Sequence, residues 1–212
     1  PPLGDNTKIY CVRGPLSAKA LDLPESYAAI DAGVLVNRFL PEAPSVKYKF
    51  SYMPQISSVV KCPGVWEKVC NELGFGYLDP TYSVDQTIQN IRETEVLLTE
   101  SMHGAIIAEA LRVPWIPIVT RQEILGFKWQ DWCYSINEEY SPISVPPIYE
   151  KYKDSFLRNM KEKLSIQKAK SMLLKASKNK PTLGKESVLN NKSEYLLEKI
   201  ELFREDYKNE PR

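Results

Sequence analysis

Apolar and polar positions in the first part of the chain fall into short blocks that switch between strand and helix periods. Lys8–Val12 (KIYCV) is apolar and β-prone, and it runs into Arg13-Gly14-Pro15. Pro15 suits the first position of a helix, where its missing N–H would have no partner anyway, so a short helix is expected over Leu16–Leu21. Tyr27–Val36 (YAAIDAGVLV) reads as a buried strand followed by a turn at Asp31-Ala32-Gly33.

Pro41 and Pro44, among polar neighbours, mark a linker. Beyond it Lys47–Met53 (KYKFSYM) alternates at strand period and stops at Pro54. A helix over Gly64–Leu73 closes at Gly74, Gly76–Leu78 is strand-like, and Ser83–Arg92 is helical with Ser83 as its N-cap. Val96–Thr99 is a short buried strand, Ala105–Arg112 (AIIAEALR) a helix and Trp115–Val119 (WIPIV) a further strand. Strand–helix–strand units of this length predict an α/β protein, with a Rossmann-like parallel sheet covered on both faces.

From residue 151 the pattern changes. Phe156, Met160, Leu164, Ala169, Leu173 and Ala176 recur near a helical period. After a break at Asn179–Gly184, Leu189, Leu196, Ile200, Phe203 and Tyr207 do the same. Two amphipathic helices joined by a Pro/Gly loop are expected. Three segments follow: 1–43, 44–150 and a helical tail, 151–212.

The 212 residues suit one large domain or one and a half smaller ones, and 43% hydrophobic with 26% charged residues is ordinary for a soluble globular protein. No apolar run approaches the ~20 residues that span a bilayer, and no secretory leader pattern opens the chain. Cys11, Cys62, Cys70 and Cys133 are widely spread without a C-x-x-C pair. With one histidine they cannot assemble a zinc site of the usual Cys/His type. Free thiols in a reducing, cytoplasmic compartment are the expectation.

The net charge of +1 hides a split. Residues 1–150 carry 12 Lys+Arg against 18 Asp+Glu, whereas 151–212 carry 16 against 9. A basic tail is either a solvated pair of helices or a surface attracted to anionic lipid at the inner face of the cytoplasmic membrane. Nucleic acid is not the expected partner, because no binding motif accompanies the charge.

The single histidine, His103, lies in Thr99–Ile106 (TESMHGAI), between a predicted strand and a predicted helix. Open α/β sheets bind ligands at such strand ends. Free N–H groups at the helix start favour an anion, and Gly104 permits close backbone approach. An imidazole there can donate or accept a proton near neutral pH; the plainer alternative is a histidine that fixes the turn. Arg13 stands at an equivalent place, where a guanidinium holds a carboxylate or phosphate in a two-pronged geometry, or else makes a structural ion pair. Asp31 also lies at a strand end, a position often taken by a turn residue. In Gly126–Cys133 (GFKWQDWC), Lys128, Trp129 and Asp131 suit a sugar ring, while the two tryptophans equally suit packing.

Five stretches taken in order resemble the polysaccharide pyruvyl transferase family, in particular its exopolysaccharide and succinoglycan-type ketal pyruvyltransferases. They are CVRGPLSAKAL (Cys11–Leu21), IDAGVLV (Ile30–Val36), YMP (Tyr52–Pro54), TESMHGAIIAEALRVPWIPI (Thr99–Ile118) and KWQDWC (Lys128–Cys133). The resemblance implies a GT-B-like fold of two Rossmann-like lobes. Residues 1–43 would be the last strand–helix–strand of a truncated first lobe, and 44–150 the second lobe. It also implies transfer of a pyruvyl group from phosphoenolpyruvate to sugar hydroxyls of a polysaccharide or its lipid-linked precursor, with no metal or organic cofactor.

On that resemblance His103 is the general acid and Arg13 clamps the phosphate or carboxylate. Ser101, Met102 and the backbone N–H groups of Gly104 and Ala105 line the anion site; from the residues themselves, Asp31, Lys128, Trp129 and Asp131 are the further candidates for substrate contact. Two positions depart from the family pattern: Ser101 stands where many relatives have arginine, and Gln55 where relatives often have histidine. A nucleotide-sugar glycosyltransferase and a truncated, non-catalytic binding domain are the rival readings.

Overall fold

Alternating and apolar runs of the kind described above become five parallel strands in the computed structural model, which describes residues 7–40, 44–120, 126–148 and 156–209. They are β1 (Tyr48–Met53), β2 (Gly76–Tyr77), β3 (Thr94–Thr99), β4 (Trp115–Val119) and β5 (Ile143–Ser144), in the order β2-β1-β3-β4-β5. β1 pairs with β3 from Tyr48↔Thr94 to Met53↔Thr99, and β3 with β4 from Leu97↔Trp115 to Thr99↔Pro117. The last three residues of β1 and of β3 are all buried, as are the first four of β4. Burial on both faces is the usual condition of parallel strands.

Eight α-helices occur among the described residues: α1 (Pro15–Ala20), α2 (Ile56–Lys61), α3 (Val65–Leu73), α4 (Val84–Arg92), α5 (Met102–Ala110), α6 (Gly126–Ser135), α7 (Phe156–Ala176) and α8 (Glu186–Asn209). Local chemistry explains several ends. Pro15 opens α1. Gly74 ends α3 in the left-handed region, φ 69°, which costs glycine little. Ser83 Oγ accepts the Gln86 amide at 3.2 Å and starts α4.

Elsewhere the structure departs from the expectation. Of the strands predicted over Lys8–Val12 and Tyr27–Val36, only a parallel bridge between Val12 and Ala28 forms. The turn expected at Asp31-Ala32-Gly33 does form, and it ends the second one. Asp31 Oδ1 accepts the Gly33 amide at 2.9 Å and the Asp31 C=O accepts the Val34 amide at 3.2 Å, turning Ala32–Phe39 into 3-10 helix. Helices α2 and α6 were not expected, because their short sequences lack a clear helical stripe. Pro41 of the predicted linker lies outside the described residues.

The chain divides into two compact units. One comprises Pro1–Leu35, Leu125–Tyr140 and Gly184–Arg212; the other comprises Val36–Ile124 and Ser141–Leu183 and holds the sheet. The core of the sheet unit joins Tyr52, Trp66, Val69, Leu98, Ile116 and Ile118 with Ala169, Leu173 and Ala176 of α7. Each such large apolar side chain stabilises by roughly 1.5–3 kcal/mol on burial. Helix α8 belongs to the other unit, where Lys192 Nζ donates to the Ala28 C=O at 2.7 Å and the Tyr195 hydroxyl to the Ser26 C=O. The two tail helices therefore fall in different units. No described helix is long and apolar enough to cross a membrane.

Candidate functional site

In the strand order β2-β1-β3-β4-β5 the winding direction reverses between β1 and β3, and doubly wound sheets bind ligands in the crevice beyond the carboxyl ends of those strands. The register makes the meeting point definite. Met53 pairs with Thr99, so Pro54-Gln55 and Glu100–His103 leave the sheet side by side. The Glu100 amide donates to the Met53 C=O at 2.9 Å. Glu100 is buried, and its Oε2 accepts the Gln55 amide at 2.6 Å and the Ser58 hydroxyl at 3.0 Å. That carboxylate thereby caps α2 from another strand, a favourable place for negative charge. The Tyr52 hydroxyl is buried beside it, and burial first, then the Glu100 carboxylate, push its pKa well above the ordinary phenol value.

The turn into α5 is built by side chains of the motif itself. Thr99 Oγ1 accepts the Ser101 amide at 2.9 Å and donates to the Ser101 C=O at 3.1 Å. Ser101 is the N-cap, its Oγ accepting the Gly104 amide at 3.2 Å, and its C=O accepts the Ala105 amide at 3.1 Å. Both amides expected to hold an anion are thus engaged within the protein. Met102 and His103 are the other residues of the first turn, whose amides have no partner within a helix. His103 is exposed and Met102 half-buried.

Gly104 has a packing reason in the structure. A Cβ at that position would lie 2.7 Å from Met53 Sδ and 2.9 Å from Thr99 Oγ1. The absence of a side chain lets α5 sit against the ends of β1 and β3. Ala105 is likewise fully buried, so it lines the packing between helix and sheet. At the far end of α5, buried Glu109 accepts from Arg112 Nη1 at 2.8 Å and from Trp115 Nε1 at 2.9 Å, fastening the helix to β4.

The other unit gathers a second set of expected residues. Arg13 Nη1 lies 3.8 Å from Asp31 Oδ2, and its Nε 3.6 Å from Asp131 Oδ2. Asp131, on α6, is fully buried. Its Oδ1 accepts the Leu16 and Ser17 amides at 2.9 and 3.0 Å, and its Oδ2 the Ser17 hydroxyl at 2.5 Å. This carboxylate caps α1 and steadies Arg13; it has no surface to offer a sugar, contrary to expectation. Trp129 is buried too, stacked on Tyr140 with ring centroids 5.1 Å apart. Trp132 is also buried, and Lys128 is exposed on α6.

The structure thus brings Arg13, Asp31 and Asp131 together in one unit, and Ser101–Ala105 together in the other. The sequence reading missed Glu100 and Glu109. Neither breaks the local pattern, and only their distant partners reveal them. Among the described residues no group of three His, Cys, Asp or Glu side chains is arranged to hold a metal ion.

Residues 5–122 match the family model described as polysaccharide pyruvyl transferase. The chain is 38% identical over 140 residues to the succinoglycan biosynthesis protein ExoV of Rhizobium meliloti (strain 1021), an alignment covering 65% of this chain and 43% of that protein. The chain therefore spans less than half the length of this relative. No solved structure matches it.

Proposed function

The chain belongs to the polysaccharide pyruvyl transferase family, and on that premise we propose that it takes part in transferring a pyruvyl group from phosphoenolpyruvate to two hydroxyls of one sugar, forming a pyruvate ketal. The observation that carries this reading is the place of His103. The one histidine of the chain is exposed in the first turn of α5, where the sheet reverses between β1 and β3. The succinoglycan biosynthesis role of the relative supports an exopolysaccharide, or its lipid-linked precursor, as acceptor. On this reading the transfer takes place in the cytoplasm.

The reaction needs a proton delivered to the methylene carbon of the enol phosphate, which builds positive charge at C2. One sugar hydroxyl adds there and loses its proton. Phosphate then leaves with its electron pair, and the second hydroxyl closes the ketal and loses its own. Two hydroxyl protons are released; one balances the new methyl group and the other departs with phosphate. His103 as imidazolium supplies the carbon proton and as imidazole accepts a hydroxyl proton. The Met102 and His103 amides stabilise the departing phosphate at the helix N-terminus. In the other unit the Arg13 guanidinium stands beside the Asp31 and Asp131 carboxylates, an arrangement suited to an anion in its own right. Phosphoenolpyruvate is consumed as substrate, and the scheme uses no organic cofactor.

A thermal-shift comparison of phosphoenolpyruvate with nucleotide sugars, on wild type and His103→Ala, tests the proposal. Stabilisation by phosphoenolpyruvate that weakens in the variant is expected. Stabilisation by a nucleotide sugar alone, or by neither, would overturn it.

A further inference from the structure

The positive charge of the tail is not shared between its helices. From Met160 to Lys180 the exposed side chains include Lys161, Lys163, Lys168, Lys175, Lys178 and Lys180, and the only acidic residue in that stretch is Glu162. Over α8, Glu186–Asn209, acidic residues outnumber basic ones, 6 to 4. Part of the basic charge of α8 is moreover taken up locally. Lys192 bonds the Ala28 C=O, and Lys199 lies over the Tyr195 ring at 4.8 Å.

Helix α7 is also apolar on two faces. Ala169, Leu173 and Ala176 are fully buried in the core of the sheet unit. Met160, Leu164 and Leu174 are 47%, 65% and 42% exposed. At 3.6 residues per turn these three fall within about 80° of one another, on the side opposite the buried set. Lysines flank them: Lys168 and Lys175 on one side and Lys163 on the other. Lys170 is the exception, turned to Glu72 on α3 at 2.8 Å, and this pair helps hold α7 in its orientation.

We propose that the outward face of α7 docks on an anionic phospholipid surface, with Met160, Leu164 and Leu174 entering the headgroup boundary and the surrounding lysines pairing with lipid phosphates. Charge complementarity selects the occupant, since each basic residue near such a surface adds to the attraction. The apolar residues select lipid over nucleic acid, because phosphate contacts along a nucleic acid need no exposed leucine. A helix anchored on its inner side and basic around an apolar outer strip lies flat on a membrane without crossing it. The inference stands apart from the transfer reaction, as its readout needs no substrate.

The test is flotation of the purified chain with vesicles of phosphatidylglycerol mixed with phosphatidylcholine, and with phosphatidylcholine alone, at low and high salt. Binding to the anionic vesicles that fades with salt is expected. The triple variant Lys161→Glu/Lys168→Glu/Lys175→Glu should weaken it at least tenfold, and Met160→Ser/Leu164→Ser should weaken it without changing its salt dependence. Lys208→Glu on α8 should leave it unchanged. Far-UV circular dichroism and the thermal midpoint confirm that each variant is folded. The proposal is overturned by equal binding to both vesicle types, or by no binding. Binding indifferent to the α7 variants, or a dimer that the Met160/Leu164 variant dissolves, would also overturn it.

Discussion

Asp131 and Leu16 are 115 residues apart, yet the Asp131 carboxylate accepts the Leu16 amide at 2.9 Å and closes the N-terminus of α1. The same carboxylate faces the Arg13 guanidinium. One buried side chain therefore both starts a helix and positions a proposed substrate-binding residue. Glu100 repeats the arrangement in the sheet unit, capping α2 from the end of β3.

Asp131→Ala would leave two amides and a hydroxyl without their acceptor, and the Arg13 guanidinium with only the Asp31 carboxylate beside it. A loss of about 3–5 kcal/mol is expected from urea unfolding, in line with removing one partner of a buried charge pair. Asp131→Asn, which keeps an acceptor oxygen, should lose less. Indistinguishable unfolding midpoints for Ala and wild type would show that the cap contributes nothing.

Gly104→Ala places a methyl group 2.7 Å from Met53 Sδ. Overpacking of this kind typically costs about 1–3 kcal/mol. Pairing it with Met53→Ala frees the nearer contact, so the double variant should recover part of that cost beyond what Met53→Ala alone predicts. Strict additivity of the two in denaturant unfolding would argue against a shared contact.

His103→Gln removes an exposed side chain, so stability should stay within about 0.5 kcal/mol of wild type. Stabilisation by phosphoenolpyruvate should nevertheless fall. A large drop in thermal midpoint without ligand would instead mark the histidine as a structural turn residue.

All four cysteines are free thiols, with Cys62, Cys70 and Cys133 buried and Cys11 part-exposed. Burial pushes the Cys70 thiol up to about 12. Native protein at pH 8 should therefore show one readily alkylated cysteine, Cys11, and three more after unfolding; mass spectrometry of the modified peptides reads this directly. Rapid native labelling of Cys70 would contradict the packing described.

The hydrogen bond from Lys170, then its charge, hold the Glu72 carboxyl below its ordinary value of 4.5. A folded value below the unfolded one means that the contact stabilises fully above about pH 4.5 and loses its effect as pH falls through the depressed folded value. Carboxyl NMR should show a low titration midpoint for Glu72 that rises in Lys170→Met. An unmoved midpoint would break the assigned link between α3 and α7.

Local sequence determined much of this protein. The apolar periods marked β1, β3 and β4 and the helices α3, α4 and α5 to within a few residues at each end, because those patterns follow the backbone geometry of each element. Ser83 and Gly74 showed their capping roles for the same reason, since a cap needs only its next few neighbours. The motif Thr99–Ile106 likewise located the histidine at a strand-to-helix turn.

Tertiary structure decided what depends on partners far along the chain. It reduced the first predicted strands to a single bridge between Val12 and Ala28. It made Asp131 a helix cap and Gly104 a packing site, roles written in the positions of Leu16, Ser17, Met53 and Thr99. It also assigned the tail's two helices to different units and left the basic charge on the outer side of one of them. Periodicity records which face of a helix is apolar, but the partner that covers that face is chosen only when the chain folds.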